Sequence, residues 1–247
     1  MKGNKLIILF IFVFGTVFSQ EKTNTSIVTD SSKTTKDSTI TKVTHNKWSI
    51  EIGTGISNGT RPYSDGYFTS INNQLFNGFI LNCYTVGASY NFSDIVGIKM
   101  DIAFDRFINS EETKSKPFEV AQYRTSIQAV FNLNSFIKPV NDVSRFNLLF
   151  HGGINLAILK PIAADYNKKV SNGDNYGGIV IGITPIVRIS KKTSIFLDFS
   201  SFTNYGQNLT WNGKHSAVSN NSEGHMYSGT LGLSFALDKN TQKTKNL

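Results

Sequence analysis

One cysteine, five prolines and a charged fraction of only 17% leave this 247-residue chain few of the usual structural devices. Cys83 is the lone cysteine, so no internal disulfide staples the fold. A mean hydropathy of −0.17 excludes a helical membrane bundle, and the apolar run Leu6 to Phe18 is too short to span a bilayer as a helix. The chain also lacks any basic and aromatic recognition module, which argues against nucleic acid as a partner despite a formal net charge of +8. It shows no metal-ligand spacing and no cofactor motif.

What is present begins with an export signal. Lys2 and Lys5 form a basic start, the apolar run follows, and Val17 and Ser19 suit the small positions before a cleavage site, placing cleavage after Ser19 or Gln20. Removing residues 1–19 takes two of the 25 basic residues and no acid, so 23 basic face 17 acidic residues and the net charge is +6. Residues 20–46 are Thr, Ser, Lys and Asp with almost no large apolar side chains, a composition that cannot offset the entropy of ordering and reads as a disordered linker. The residues Asp37-Ser38-Thr39 within it resemble the O-glycosylation sequon of exported Bacteroidetes proteins.

Strict two-residue alternation then dominates residues 47–237. It is clearest from Phe79 to Phe107: Tyr84, Val86, Ala88, Tyr90 and Phe92 share one face. Val96, Ile98, Met100, Ile102 and Phe104 continue it across the polar turn 93–95. The same pattern predicts strands over 48–57, 84–92, 96–104, 123–133, 146–158, 177–189, 194–204 and 226–237. Pro185, inside the sixth, predicts a bulge or a locally unpaired N–H, while Phe196 and Phe202 make the seventh the least regular. Connections run long, short, long, middling, long, short, long. An even-stranded outer-membrane barrel sorts its loops in this way, with short turns and both termini on the periplasmic side.

Direction is the next question. Apolar faces turned outward leave Glu51, Lys99, Asp101, Asp105, Arg124, Gln128, Asn147, His151, Arg188 and Asp198 inside, together with the Cys83 thiol. Both signs are present, and an eight-stranded barrel is only wide enough for side chains to fill, so the set predicts an ion-pair and hydrogen-bond plug. The inverse arrangement would put these charges in lipid at about 2 to 4 kcal/mol each near mid-bilayer. Trp48, Tyr90, Phe92, Phe131, Phe146 and Phe235 fall near one rim and Phe104, Tyr123, Tyr205 and Tyr227 near the other, as interfacial aromatics do. A soluble lipocalin-like barrel for an apolar ligand is the alternative with the faces reversed, and a diffusion porin is a further one.

The leader, the eight alternating strands and the last-strand pattern Thr230-x-Gly232-x-x-Phe235-x-Leu237 resemble the small OmpA-type outer-membrane β-barrel proteins common in Bacteroidetes. The resemblance implies an all-β, eight-stranded antiparallel up-and-down transmembrane barrel in the outer membrane. It implies a monomer in contact with outer-membrane lipids and lipopolysaccharide. Thr230, Gly232, Phe235 and Leu237 would then be the signal read by the barrel-assembly machinery, although residues 238–247 add a polar tail beyond the usual terminal aromatic. Barrels of this kind include lipid A-modifying enzymes, and His215, Ser216, Ser219, Ser222, Glu223 and His225 in the last long loop offer a Ser/His/acid set. Their spacing matches no motif, and a loop rich in Ser and Asn supplies such triples by chance. The expectation is a non-enzymatic envelope or surface-interaction protein with no cofactor and no metal.

Overall fold

Alternating sequence becomes paired strand wherever each inward residue finds interior and each outward residue finds an apolar surround. The computed structural model describes residues 47–67, 81–109, 115–137, 145–164, 173–215 and 222–237. They form β1 (Trp48–Arg61), β2 (Cys83–Asn91), β3 (Val96–Ile108), β4 (Phe118–Asn132), a short helix α1 (Leu133–Ile137), β5 (Phe146–Ala164), β6 (Asp174–Arg188), β7 (Thr193–Gln207) and β8 (Ser222–Ala236). Each strand pairs antiparallel with its sequence neighbours, and β1 closes on β8. The chain is an eight-stranded up-and-down β-barrel.

Register fixes its geometry. Stepping across direct partners from Trp48 through Tyr90, Ile98, Ala129, Gly152, Ile181, Ser201 and Tyr227 returns to β1 at Asn58, ten residues along. That shear, with eight strands, tilts them by about 40° to the barrel axis. The interior of such a barrel is filled by side chains.

The β2–β3, β4–β5 and β6–β7 connections share one end with the start of β1 and the end of β8. Two use the same device: Ser93 Oγ accepts from Ile95 N and Val96 N at 3.3 and 3.1 Å, and Ser190 Oγ accepts from Lys192 N and Thr193 N at 3.2 and 3.0 Å. A serine hydroxyl thus satisfies the turn's backbone donors. In the third, the middling connection between β4 and β5, α1 follows directly on β4, and Asn134 ties it to β5 through Phe146 O (2.9 Å) and Leu148 N (3.0 Å). Pro185 interrupts the β6–β7 ladder between Ile183↔Phe199 and Ile186↔Phe196 without a register shift, so the outcome is local unpairing and not a bulge.

The predicted boundaries need correction at the opposite, long-loop end. There β1 runs on to Arg61, β3 to Ile108, β5 to Ala164 and β7 to Gln207, while β4, β6 and β8 begin at Phe118, Asp174 and Ser222. The alternation fades there because outward positions become polar or charged, as at Arg106, Glu119 and Lys160, although the ladder continues. The leader, the linker with Asp37-Ser38-Thr39, Phe79, Ser216, Ser219 and the tail 238–247 lie outside the described residues.

Candidate functional site: the barrel interior and its two faces

Inward residues of β3 climb through three zones, from Lys99 and Asp101 through Asp105 to Phe107. The first zone is polar. Lys99 Nζ lies 3.1 Å from Glu51 Oε2 and 3.6 Å from Asp198 Oδ2, and 5.7 Å from the centre of the Phe196 ring. Asp101 Oδ2 accepts from Ser126 Oγ and Gln128 Nε2, both at 2.6 Å. With that amide nitrogen committed, Gln128 Oε1 accepts from His151 Nδ1 at 2.5 Å. The other ring nitrogen sits 3.2 Å from Asp198 Oδ2, at an angle that makes no hydrogen bond. Asp198 also accepts from Thr184 Oγ1 (2.8 Å) and Ser200 Oγ (2.6 Å). Gly182 makes the room: a Cβ there would lie 2.4 Å from His151 Cε1.

One step higher, Arg124 Nε donates to Asp105 Oδ2 at 2.8 Å, with both side chains buried. Its Nη2 lies 3.6 Å from Cys83 Sγ and its guanidinium stacks 4.4 Å from the Phe202 ring centre. Across both zones the carboxylates Glu51, Asp101, Asp105 and Asp198 outnumber the cations Lys99 and Arg124. Hydroxyl and amide donors from Ser126, Gln128, Thr184 and Ser200 carry the remainder, which is what a buried carboxylate needs when no cation reaches it. A cavity among these groups, lined by Glu51, Lys99, Asp101, Arg124 and Asp198, has room for one or two waters.

The third zone is apolar and lies toward the long-loop end. Phe107, Phe118, Val120, Leu159, Tyr176 and Met226 point inward from the strands, and Tyr67, Leu209 and Trp211 come in from the loops. Trp211 is fully buried; its Nε1 donates to Arg61 O at 2.8 Å and its backbone N to Pro62 O at 3.0 Å. The segment carrying it is tied down by Asp174, whose carboxylate accepts from Asn208 N (2.6 Å), Leu209 N (2.8 Å) and Asn208 Nδ2 (3.1 Å). Gly59 lies under the indole, where a Cβ would stand 2.3 Å from Trp211 Cδ2. Burial beside this zone pushes the Tyr63 phenol well above its ordinary pKa. In sequence Leu209, Trp211 and Asp174 fall in or beside the long loops, and an isolated Trp in a polar Gly- and Asn-rich stretch is the signal they carry.

Arg188 and Asn147 stand apart. Both occupy inward register near the short-turn end, where Arg188 is half-buried and joins no ion pair among the described residues. At the start of β8, which the sequence reads as the end of the last long loop, His225 Nε2 is 3.9 Å from Glu223 Oε2 and its Nδ1 3.5 Å from Thr203 Oγ1, while His215, before that strand, pairs with Leu209 in an isolated bridge. Among the described residues no serine meets either histidine in a hydrogen bond. In β8, Thr230 and Gly232 face the interior, and Phe235 and Leu237 the outside.

The outer face is the reverse of the inner. Val86, Ile102, Ile154, Leu156, Ile181 and Leu231 are more than half exposed, and comparable residues ring the whole barrel. The lipocalin-like alternative, which needs these faces inward, is therefore excluded. Trp48, Tyr90 and Phe92 stack at one edge of the belt, with centroids 4.7 and 5.2 Å apart, and Phe104 with Tyr123 at the other, 5.3 Å apart. From Tyr123 to Phe131 on β4, and from Tyr227 to Phe235 on β8, the edges are eight positions apart, or about 20 Å along the axis at a 40° tilt.

No family model matches the chain, and no curated protein matches it. Solved structures are similar in fold only. They include the N-terminal β-barrel domain of Pseudomonas aeruginosa OprF (10% identity, TM-score 0.45, covering 77% of this chain and 96% of that one). OprG of the same organism (9%, 0.46, 78% and 97%) and Neisserial surface protein A (10%, 0.44, 77% and 97%) are further examples.

Proposed function

We propose that the chain is a non-enzymatic integral protein of the outer membrane, a filled barrel that serves envelope integrity or surface interaction through its long loops. The belt of exposed Ile, Leu, Val and Phe around the full circumference carries this reading. A soluble protein seldom leaves more than a few hundred Å² of contiguous apolar surface uncovered, whereas a bilayer covers such a belt and places aromatic rings at its two edges. The long-loop end then faces outward, and the short turns, the linker 20–46 and the tail 238–247 face the periplasm. Residues 1–19 are the leader, and Thr230, Gly232, Phe235 and Leu237 are the signal read by the assembly machinery. The barrel works as a monomer, its surround being membrane lipid and lipopolysaccharide.

Two fillings in series argue against a diffusion pore. The polar network of Glu51, Lys99, Asp101, Gln128, His151 and Asp198 crosses the lumen, and the Trp211 segment lies over it toward the long-loop end. Cell fractionation, followed by gel migration with and without boiling, tests the location. A heat-modifiable band in the outer-membrane fraction is expected, and recovery in the soluble periplasmic or extracellular fraction would overturn the reading.

A further inference from the structure

We propose that the short-turn mouth of the lumen is a cup for a medium-chain aliphatic carboxylate, with Arg188 and Asn147 taking the carboxylate and Leu149 and Ile186 lining the path of the chain. Direct register places Asn147 opposite Ile186, Leu149 opposite Thr184 and Ile186 opposite Phe196, so these residues share the inward face. Burial divides that face into two levels. Val130, His151, Thr184 and Phe196 are at most 9% exposed and form a floor. Between that floor and the lip, Asn147, Leu149, Ile186 and Arg188 are all half-buried, so the lumen opens to solvent there.

Two features of this cup call for an anion with an apolar chain behind it. The Arg188 guanidinium and the Asn147 amide are diagonal neighbours at the lip, and neither makes a hydrogen bond or an ion pair among the described residues. Lys47, Arg145, Lys191 and Lys192 stand at the same end against the one acid Asp94 among the described residues, so the lip is electropositive. A wholly polar mouth would suit any small anion. Leu149 and Ile186 instead keep apolar surface uncovered inside the lumen, in line with the guanidinium, as a site for an amphipathic ligand does. From Arg188 to Thr184 is four positions on β6, about 10 Å along the axis at a 40° tilt, which accepts an extended chain of about six to eight carbons. That the cup faces the periplasm rests on the membrane reading above; its chemistry does not.

The test follows the methyl resonances of Leu149 and Ile186 by NMR in the full exported chain, folded in phospholipid nanodiscs. Butanoate, hexanoate and octanoate are titrated in, with 1-octanol as the same chain without the charge. Octanoate should shift both methyls saturably, at concentrations that leave the exposed Leu156 and Ile181 methyls unmoved. Affinity should rise by up to about fourfold per methylene from butanoate to octanoate. Arg188→Gln should weaken octanoate about tenfold, and Arg188→Lys should keep part of the affinity. An affinity independent of chain length, octanol bound as tightly as octanoate, or equal binding by Arg188→Gln would each overturn the assignment. Tighter binding of a leucine-ended peptide would overturn it in favour of a protein terminus, and tighter octanoate binding after removal of residues 238–247 in favour of the chain's own tail. An outer-membrane barrel whose cup ignores octanoate defeats this proposal alone, whereas a soluble chain that still binds octanoate at Leu149 and Ile186 defeats only the membrane reading.

Discussion

Lys99 and Phe107 stand on the same face of the same strand, yet one is surrounded by Glu51, Asp101 and Asp198 and the other lies 5.1 Å from the Trp211 ring. The lower region is held by groups whose partners are charged or hydrogen-bonded and whose loss leaves a buried group unpaired. The upper region is held by close packing, with one indole fixed over a glycine, its Nε1 bonded to Arg61 O and its backbone N to Pro62 O. One barrel interior thus holds two kinds of interaction, which should fail in different ways. Polar filling is all-or-none in its pairs; apolar filling yields in proportion to volume.

Arg124→Ala should produce the largest change. It strands Asp105, whose side chain is fully buried, and breaking such a pair costs about 3 to 5 kcal/mol. Urea unfolding of the barrel in lipid vesicles, followed by gel migration, measures this. Replacing both partners, as in Arg124→Met with Asp105→Leu, should recover most of the loss, because no unpaired charge then remains. If the double variant is as unstable as the single one, packing and not pairing governs this layer.

Trp211→Ala should follow, at about 3 kcal/mol, the low end for emptying an aromatic site because the mouth can partly collapse. Its signature is local: protease should cut the 208–215 segment while β1 to β8 stay protected. Cleavage spread evenly over all loops would show that the segment does not close the mouth by itself. Gly59→Ala probes the same contact more gently. Its new methyl would meet the indole at 2.3 Å, so the ring must shift, at about 1 to 3 kcal/mol of overpacking cost. Combining it with Trp211→Ala should remove that cost, since the methyl then enters the space the indole leaves.

How far the fold can be read in advance follows the same division. Where outward residues are apolar, a period of two marks every strand, and from it come the strand order, the direction of each face and the list of inward charges. Beyond the belt, outward Arg106, Glu119 and Lys160 erase the period, and the strands continue unannounced. The Trp211 segment is hidden for another reason. Leu209 and Trp211 have no periodic neighbours, and the groups that hold them, Arg61, Pro62 and Asp174, are distant in sequence. Composition marks these residues as loop; only closure of the barrel brings them together.

Arg188 shows the same limit inside the network, and its substitution should have the smallest effect. On alternation alone Arg124 and Arg188 are equivalent, two inward arginines that a plug would be expected to use. Shear separates them. Arg124 is ion-paired with Asp105 and stacked on Phe202, whereas Arg188 lies at the short-turn end, half-buried and in no ion pair among the described residues. Its backbone N still bonds Arg145 O at 2.7 Å, which a side-chain truncation leaves intact. Arg188→Ala should therefore change stability by no more than about 0.5 kcal/mol, the range of a surface substitution. In the urea experiment its midpoint should overlay that of the unmodified barrel, and a loss approaching that of Arg124→Ala would mean that the polar network extends to the short-turn mouth. The comparison also bears on sealing. If the fillings nearer the long-loop end close the lumen, Arg188→Ala should not raise single-channel conductance in a planar bilayer either, because the side chain it removes stands below both of them.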